Sequence, residues 1–405
     1  MKTIQEIAEY LASKSDDIRS PRFRHALKKA KLSIDAPTVL VTGSNGKGST
    51  AFYLTLLGNQ RYPGKVGTLY NSYFALPNES ICIGGKPVGE TSFEEAFNAL
   101  FPVFEKEELT ASEILVCLAC YLFRKAKTEF VVLECFMGGI DDPCVEVGAP
   151  VILSIITNVA LEHTEYLGTT LSEIAYSCSG VIAKKVPLIV GNLDPVSEDA
   201  LKLICAKAKT SITHLDRPYL PHLVNGDTFV FDYPPYKGIA ISTFASYQVL
   251  NACMALQANK MLPELSLSEA EIIEAFHGHS LPGRLERKGK VVFDCACNGA
   301  AVDALCRTLP SVGRGRPVHV LFATKNSANI SVMLSSLDDA AATVTLTSFP
   351  HPEARDEMGY ALYVEDHDYF PNPMMGLADL QSKYPEDTVL IAGSREFVAF
   401  MRALL

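Results

Sequence analysis

The chain has 405 residues, of which 48% are hydrophobic and 20% are charged, and its formal net charge is −10. At about 150 residues per domain, this length predicts two or three domains. The acidic balance argues against a general nucleic-acid binder, which needs a basic face to displace counterions from phosphates. It still allows a local cationic pocket that binds a small anion.

The sequence also predicts the cellular compartment in which the protein is found. The first 20 residues carry acidic side chains inside the stretch where a signal peptide would be apolar. The longest strongly apolar run, residues 114–123, is too short to span a bilayer. Eleven cysteines in a chain without a secretion signal are typical of free thiols in a reducing environment. We therefore expect a cytoplasmic protein with no membrane contact.

The first half of the chain alternates short, β-branched apolar runs with amphipathic stretches, which is typical of an α/β sheet with crossover helices. Buried parallel strands are predicted at Thr38–Thr42, Phe130–Glu134 and residues 151–157 and 186–190. Helices are predicted at residues 50–57, 92–108, 112–125, 171–184 and 197–208. Thr169 or Thr170 is the expected N-cap of the helix that begins at Leu171.

The pattern changes after residue 220. Residues 220–238 alternate apolar and polar side chains between Pro and Gly, which predicts antiparallel strands, and a helix is expected at residues 246–261. Residues 281–287 (LPGRLER) are the best candidate for a linker. A second α/β pattern follows, with strands at Val291–Asp294 and residues 318–322, 343–349 and 388–392, and helices at residues 300–309 and 376–384. The sequence thus predicts two domains, 1–285 and 286–405.

The strongest local signal is the run VTGSNGKGST at residues 41–50, which follows a predicted strand and precedes a predicted helix. Glycines allow backbone amides to point at phosphate oxygens, and the following helix N-terminus adds partial positive charge. Lys47 would reach a phosphate, and the hydroxyl of Ser49 or Thr50 would ligate Mg²⁺. The run departs from the strict GxxxxGK[ST] pattern because Gly48 separates Lys47 from Ser49. The alternative is an ordinary glycine-rich turn before a helix.

Collinear motifs extend this signal along the chain. GSNGKGS resembles the loop GTNGKGS of the Mur ligase superfamily, in its folylpolyglutamate synthase and dihydrofolate synthase branch. Further segments resemble the motifs VVLEVGLGG, ITNIxxDHxxxLGxTxxxIA, HQxxNA, the hinge LPGRLE, DGAHNPAA and GSLYLVGEVRxLL of that branch. In this chain they read FVVLECFMGG (130–139), ITNVALEHTEYLGTTLSEIA (156–175), YQVLNA (247–252), LPGRLE (281–286), DCACNGAA (294–301) and GSREFVAFMRALL (393–405).

The resemblance implies a fold and an activity. The expected fold is α/β, with a P-loop, Mur-ligase-like central domain built on a parallel sheet and a smaller, Rossmann-like C-terminal α/β domain. The implied activity is ATP-dependent ligation of an amino acid, glutamate-like, to a carboxylate through an acyl phosphate, with ATP and Mg²⁺ as cofactors. Small-molecule carboxylate and amino-acid substrates are expected, no nucleic-acid or membrane partner, and a monomer.

The resemblance also implies roles for individual residues. The expected catalytic group is Lys47, Glu134 and His163, and the expected metal ligands are Ser49, Ser72, Glu134 and His163. The residues expected to bind ATP are Gly43, Ser44, Asn45, Gly46, Lys47, Gly48, Ser49, Thr50, Asn251, Arg284 and Asp294. For Glu134 and His163 the alternative is an ordinary strand-end acid and a structural histidine. For Asn251 and Asp294 it is a role in helix packing or in a turn.

Several positions depart from the family pattern. Cys178 stands where family members have a lysine that is carbamylated to help bind a second metal ion, and Cys297 stands where DGAHNP has its histidine. Residues 72–75 retain the serine of the SPHL segment but not its proline or histidine. Residues 323–327 lack the acids of the DKD segment. Residues 138–145 lose the arginine and asparagine of GGRLDATN, although Asp142 matches its aspartate.

The departures leave two further interpretations open. One is a catalytically degenerate nucleotide-binding protein that acts through a partner or in regulation, and the other is a ligase of a specialised pathway outside folate metabolism. Five cysteines fall in or beside the motifs: Cys135, Cys144, Cys178, Cys295 and Cys297. They could gather a soft metal, but no CxxC…CxxC framework exists, so we expect small buried side chains. The CxxC at Cys117 and Cys120 lies in an apolar helix and is expected in the core.

Overall fold

The computed structural model describes residues 1–14, 21–72, 74–224 and 227–405, so Tyr73 of the SPHL-like segment lies outside the described residues. The chain divides into two compact units. The first contains Met1–Tyr219, Asp232–Ile239 and Leu250–Phe276, and the second contains Leu220–Phe231, Ala240–Val249 and His277–Leu405. The predicted division after residue 285 remains a prediction.

Helices and strands alternate along most of the described chain. The strands are β1 (Thr38–Thr42), β2 (Val66–Leu69), β3 (Ile81–Ile83), β4 (Lys86–Pro87), β5 (Phe130–Glu134), β6 (Val151–Asn158), β7 (Leu188–Asn192), β8 (Ile212–His214), β9 (Tyr219–Val224), β10 (Thr228–Tyr233), β11 (Tyr236–Ile241), β12 (Arg284–Lys288), β13 (Val291–Asp294), β14 (Val318–Ala323), β15 (Thr343–Thr347), β16 (Tyr369–Phe370) and β17 (Thr388–Gly393). The helices are α1 (Ile4–Ala12), α2 (Pro21–Ala30), α3 (Lys47–Arg61), α4 (Glu90–Lys106), α5 (Ala111–Ala126), α6 (Pro143–Glu146), α7 (Thr164–Leu167), α8 (Leu171–Cys178), α9 (Pro195–Ala208), α10 (Tyr247–Met261), α11 (Glu269–Phe276), α12 (Gly299–Cys306), α13 (Leu309–Gly313), α14 (Ile330–Ala340), α15 (Pro373–Lys383) and α16 (Arg395–Leu404). None of these helices combines the length and apolarity that a bilayer span requires.

The first unit is built on an eight-stranded sheet with the order β4-β3-β2-β5-β1-β6-β7-β8. Strands β2, β5, β1, β6, β7 and β8 run parallel, whereas β3 and β4 are antiparallel additions at one edge. Every residue of β1 and β5 is buried, as their uninterrupted apolar sequences predict. Since Val41 pairs with both Glu134 and Ile155, the carboxyl ends of β1, β5 and β6 lie side by side.

Helices of the first unit pack against this sheet, with α3 against β1, β2 and β5 and α5 against β2 and β3. Helix α5 is buried along most of its length, and Cys117 and Cys120 inside it are fully buried in the core, as expected. Its N-cap, Thr110, forms a capping box with Glu113, which satisfies backbone amides at the buried helix start. Each strand and helix predicted in this region is present, but several bounds differ: the helix predicted at residues 50–57 covers Lys47–Arg61, and the strand predicted at residues 186–190 is Leu188–Asn192. The largest difference is a helix end.

That boundary is the end of α8. The sequence predicts a helix through residue 184, but α8 ends at Cys178 and a short 3₁₀ turn, Ser179–Val181, follows. Gly180 packs so closely that a Cβ atom there would lie 2.1 Å from the carbonyl carbon of Gly139. The chain therefore bends at this contact, and the prediction of a longer helix was wrong. The N-cap is Thr170, in a capping box with Glu173.

The second unit contains a six-stranded sheet with the order β12-β13-β17-β14-β15-β16. All neighbours are parallel except β12, which is antiparallel to β13. Strand β12 begins at Arg284, so the second half of the predicted linker, residues 281–287, is a strand of this sheet. Strands β9 to β11, in the order β11-β10-β9, form a third sheet over the alternating segment, and β10 alternates buried and half-buried residues.

Candidate active site

The glycine-rich loop of residues 43–46 connects β1 to α3 and is fixed by the end of β6. The amide of Ser44 donates to the carbonyl of Asn158 (3.0 Å), and the amide of Asn45 donates to Oδ1 of the same residue (2.7 Å). The hydroxyl of Thr157 donates to the carbonyl of Asn45 (2.7 Å). Because these contacts come from a buried strand, they hold the loop in one shape before any ligand binds.

Two glycines make this shape possible. Gly43 and Gly46 have φ angles of +123° and +83°, values that favour glycine. A Cβ on Gly43 would lie 2.3 Å from Oγ1 of Thr157, and a Cβ on Gly46 would lie 2.3 Å from Oδ1 of Asn251. Asn251, from α10, therefore stands directly against the loop, where the sequence places an ATP contact.

Helix α3 begins immediately after the loop, at Lys47, and its N-cap residue makes no side-chain capping hydrogen bond. Its N-cap is Gly46, which has no side chain, and its first turn contains no acidic residue. The amides of the first turn and the helix dipole favour an anion at this position. Ser49 and Thr50 lie in the first turn and are buried. The hydroxyl of Thr50 points toward Met254 (Oγ1 to Sδ 3.6 Å).

Lys47 lies folded back along the loop. Its Nζ donates to the carbonyls of Gly43 (2.6 Å) and Ser44 (3.0 Å) and lies 3.9 Å from Oε1 of Glu162. The side chains of Lys47 and Glu162 are only 14% and 12% exposed. A lysine beside an open helix N-terminus supplies a positive charge that can move onto a bound phosphate.

Glu134 ends β5 beside the start of α3. The residue is 4% exposed, and its carboxylate accepts the amide of Asn71 (3.1 Å) and lies 3.2 Å from the position of a Cβ on Gly48. A carboxylate and the Ser49 hydroxyl next to a phosphate-binding loop are the oxygen ligands that Mg²⁺ prefers. The residues present therefore fit a magnesium–nucleotide site. Ser72 follows Asn71, so the chain after β2 also approaches this carboxylate.

His163 lies after the carboxyl end of β6. It has a φ angle of +44° and precedes the single turn α7, whose amides at Tyr166 and Leu167 bond to its carbonyl. Its side chain is exposed. The preceding residue, Glu162, was missed as a site residue from sequence, although its position beside His163 and its charge were visible.

Three buried cysteines lie near the same sheet edge; we refer to Cys135, Cys144 and Cys178 as the thiol-lined side. The thiols of Cys135 and Cys144 share a hydrogen bond, and Cys144 Sγ also contacts the carbonyl of Glu134 (3.5 Å). Burial raises the pKa of Cys178 to about 11, although the charge of Lys47 opposes this shift. These thiols are therefore neutral. In the described ranges, no group of three or more His, Cys, Asp or Glu side chains is arranged to hold a metal ion.

Asp142 anchors the segment that carries these thiols. It is fully buried, caps α6 and accepts the amides of Met137 and Cys144 (both 2.9 Å). Burial raises the pKa of Asp142 to about 6, while the backbone hydrogen bonds act in the opposite direction. This match to the family aspartate therefore serves to close the loop after Glu134.

In the second unit, Arg284 and Asp294 lie on paired strands. Asp294 accepts the hydroxyl of Tyr247 (2.6 Å) and the amide of Leu285 (3.0 Å), and Arg284 Nη1 donates to the carbonyl of Cys295 (3.0 Å). Burial raises the pKa of Asp294, whereas the Arg284 charge and the Tyr247 hydrogen bond lower it. Tyr247 opens the motif YQVLNA but was not singled out from sequence.

The structure thus forms two groups of predicted residues. Around the loop it brings together Lys47, Ser49, Glu134 and Asn251, with Ser72 and His163 on neighbouring chain segments. Arg284 and Asp294 form a group of their own in the second unit. Cys297, in the DCACNGAA segment, is exposed, whereas Cys295 beside it is buried.

Comparison with known proteins places this geometry in a family. Residues 41–258 match the Mur ligase middle domain. The chain is 27% identical to folylpolyglutamate synthase of Lacticaseibacillus casei over 389 residues, which cover 90% of this chain and 89% of that protein. Its fold matches Mycobacterium tuberculosis folylpolyglutamate synthase complexed with ADP, with a TM-score of 0.88, 21% identity and coverage of 99% and 98% of the two chains.

A third similarity is to a bifunctional folylpolyglutamate synthase/dihydrofolate synthase with Mn, AMPPNP and L-glutamate bound. Its TM-score is 0.85 at 22% identity, with coverage of 100% of this chain and 98% of that one. The structural similarities establish the α/β fold that the motifs predict. Since the family match spans more than half of the chain and contains the phosphate loop, Glu134, His163 and Asn251, this protein belongs to the Mur ligase family.

Proposed function

We propose that this protein is an ATP-dependent ligase that joins an amino acid, glutamate-like, to a small-molecule carboxylate, as a folylpolyglutamate synthase-like enzyme. The observation that carries the proposal is the phosphate loop, with Asn251 against Gly46 and Glu134 against Gly48. The relatives named folylpolyglutamate synthase, and the similar structures with ADP or with AMPPNP and L-glutamate, support the same activity.

The proposed reaction has two steps. The carboxylate oxygen of the acid substrate takes the γ-phosphoryl group of ATP, which forms an acyl phosphate and releases ADP. The amine nitrogen of the amino acid then attacks the acyl carbon, inorganic phosphate leaves, and the nitrogen loses a proton. Both steps depend on positioning of charged groups and on exclusion of water rather than on a covalent protein intermediate.

The residues around the loop have distinct roles in this proposal. The loop amides and the start of α3 bind phosphate oxygens, and Lys47 moves from the carbonyls of Gly43 and Ser44 onto the phosphate chain. Ser49 and Glu134 would hold Mg²⁺, with Ser72 and His163 as further ligands. The metal supplies charge neutralisation on the phosphates when it is bound. Asn251 fixes the loop and contacts the nucleotide.

For the second unit, we propose that Arg284 contacts the phosphates of ATP and Asp294 its ribose. Asp294 is held in place by Tyr247 and by the amide of Leu285. We further propose that the enzyme works as a cytoplasmic monomer on small molecules, without nucleic acid or membrane. The net charge of −10 and the eleven free cysteines support this setting.

The experiment is to measure ADP release with ATP, Mg²⁺, glutamate and a panel of acids. The panel contains pteroate and folate compounds and carboxylates that lack a pteridine. Release that requires both an acid and the amino acid, with the amide product identified by mass, is the expected result. If ATP binds but no acid of the panel increases ADP release, the ligase proposal is wrong.

One specific observation favours a second candidate, a nucleotide-binding protein that no longer ligates. Cys178 and Cys297 occupy positions where the resemblance implies a charged or basic side chain, and the Cys178 thiol is buried and neutral. This candidate predicts ATP binding without turnover in the native chain, and turnover after Cys178→Lys and Cys297→His are combined. Efficient turnover by the native protein excludes it.

A further inference from the structure

Strand β12 contains a strained residue directly after Arg284. Leu285 has a φ angle of +51°, although its side chain is branched and buried. The pairing of β12 with β13 shifts register between Arg284 and Glu286, so Leu285 is the extra residue of a β-bulge. A left-handed conformation is unfavourable for leucine because its Cβ approaches the next carbonyl oxygen, so surrounding contacts must hold this bulge in shape.

One carboxylate oxygen supplies such a contact. Oδ2 of Asp294 accepts the amide of Leu285 (3.0 Å) and also the hydroxyl of Tyr247 (2.6 Å), the first residue of α10. Asp294 is 3% exposed, so its carboxylate needs these donors in place of water. An aspartate carboxylate turns easily about its last side-chain bond. The Tyr247 hydroxyl therefore fixes the rotation of the group that supports the bulge.

The bulge in turn determines where the Arg284 guanidinium lies. Arg284 pairs with Asp294 across the two strands, and its Nη1 donates to the carbonyl of Cys295 (3.0 Å). The amide of Cys295 donates back to the carbonyl of Gly283 (3.0 Å). Bulges next to binding sites commonly redirect a side chain. A guanidinium binds a phosphate through a rigid fork of N–H donors, so a small tilt of the fork costs contacts. The direction of Arg284 thus depends on the support that Asp294 gives to the bulge.

The hydroxyl of Tyr247, rather than its ring, carries this support. Burial and the negative charge of Asp294 raise the pKa of Tyr247, so the hydroxyl keeps its proton and remains a donor. The same hydrogen bond lowers the pKa of Asp294 and so favours the charged carboxylate, which accepts both donors. A phenylalanine would fill the same space but would leave Oδ2 only one of its two donors.

We propose that Tyr247 is a positioning residue that directs Arg284 at nucleotide phosphates. It acts by fixing the Asp294 carboxylate, which supports the Leu285 bulge. The proposal rests on the proposed function, since it requires that Arg284 binds the phosphates of a nucleotide. Tyr247 itself touches no substrate in this role. Loss of its hydroxyl should therefore weaken nucleotide binding mainly through Arg284, and the effect should largely disappear once the guanidinium has been removed.

The test is a double-mutant cycle on the full-length protein, in which calorimetry measures binding of a non-hydrolysable ATP analogue with Mg²⁺. The four proteins are wild type, Tyr247→Phe, Arg284→Gln and the double variant. We expect Tyr247→Phe to weaken binding by about fivefold or more in the wild-type background and by less than about twofold in the Arg284→Gln background. If Arg284→Gln binds too weakly to measure, Arg284→Lys, which keeps the charge but loses the planar fork, replaces it as the background.

The matched control is Tyr360→Phe, which removes another buried hydroxyl of the second unit and its hydrogen bond to the amide of Thr324 (3.1 Å). It should leave the affinity unchanged, and thermal unfolding checks that each variant is folded. An equal loss in both backgrounds would mean that Tyr247 acts on the Asp294–ribose contact or on the fold, and it overturns the proposal, as does wild-type affinity in Tyr247→Phe. If the wild-type protein does not bind the analogue at all, the proposed function fails, and the positioning role fails with it.

Discussion

The phosphate loop and the thiol-lined side lie at the same edge of the first sheet, yet they are built on different principles. The loop is shaped by backbone, with Gly43 and Gly46 in conformations and contacts that exclude a side chain. The thiol-lined side is shaped by burial, since its three thiols have at most 1% exposure. The phosphate loop keeps the positive charge of Lys47 next to the place where a ligand binds. The thiol-lined side instead presents uncharged thiols at the sheet edge.

This difference indicates which part of the chemistry is retained. An anion-binding loop needs amides, a lysine and an open helix N-terminus, and all of these are present around Lys47. Positions on the other side hold neutral thiols, so negative charge there comes from carboxylates such as Glu134, Glu162 and Asp142 rather than from the cysteines. We therefore expect substitutions in the loop to affect nucleotide chemistry and substitutions in the thiol-lined side to affect mainly stability.

The largest effect is expected for Lys47→Ala. Removing one group that stabilises developing charge typically lowers the rate by about 10²–10³-fold. We expect a loss of this size in kcat/KM for ADP release, with an unchanged melting temperature, because the contacts of the loop with Thr157 and Asn158 hold its shape without the Lys47 side chain. Lys65→Ala is the control on the same unit. Wild-type activity in the Lys47 variant would contradict the assignment of the loop.

A second test separates backbone strain from loop function. Gly46→Ala places a Cβ 2.3 Å from the Asn251 amide oxygen, whereas Gly64→Ala, at a similar positive φ, meets nothing within 4 Å. Both substitutions should destabilise the fold by about 1–3 kcal/mol. Only Gly46→Ala should also weaken nucleotide binding, by about tenfold or more, as measured by calorimetry with a non-hydrolysable ATP analogue. Equal affinity in the two variants would show that the Asn251 contact does not shape the site.

The third test concerns the anchor of the thiol-lined side. The folded-state pKa of Asp142 is raised to about 6 by burial, so ionisation of Asp142 opposes folding. The stability linked to its protonated form is fully present below the unfolded-state pKa, about 3.9, and is lost as the pH rises through 6. The free energy of unfolding that is lost between these two pH limits is on the order of 3 kcal/mol.

Asp142→Asn removes this dependence but loses one amide hydrogen bond at every pH. Relative to wild type, the variant should therefore be more destabilised at pH 4 than at pH 7.5. Urea unfolding at both pH values measures this, with the exposed Asp141→Asn as control. A constant difference between wild type and Asp142→Asn would mean that folding does not raise the pKa of Asp142.

The sheet core could be predicted from sequence because buried parallel strands are short, continuous and apolar, as in β1 and β5. Strand β2 was missed, since Gly67 weakens its strand pattern. In the structure this glycine leaves room for the Phe123 ring, because a Cβ on residue 67 would lie 2.8 Å from a ring carbon. The end of α8 was missed because it depends on the contact of Gly180 with Gly139, which no local pattern encodes.

The part of the site whose residues are contiguous in the sequence could be predicted. The loop of residues 43–50 is contiguous, so its glycines and Lys47 indicate a phosphate site without knowledge of the fold. Glu162 stands beside His163 in a recognisable motif, but its contact with Lys47 could not be predicted, because Lys47 lies far away in the chain and the parallel pairing of β1 with β6 brings the two segments together. Tyr247 was missed for the same reason, since Asp294 lies on a distant strand.

The smallest effect is expected for Cys178→Ser, and it tests the thiol-lined side directly. Cys178 is 1% exposed, and its side chain shares a hydrogen bond with Thr42, which a serine hydroxyl can also form. We expect a destabilisation of about 1 kcal/mol, similar to that of the buried control Cys205→Ser, with turnover and Mn²⁺ affinity unchanged. Because a neutral thiol neither carries charge to a metal nor moves a proton here, only its packing should matter. A tenfold or larger loss of turnover in Cys178→Ser alone would make this thiol part of the reaction, and the contrast between a functional loop and a structural thiol-lined side would no longer hold.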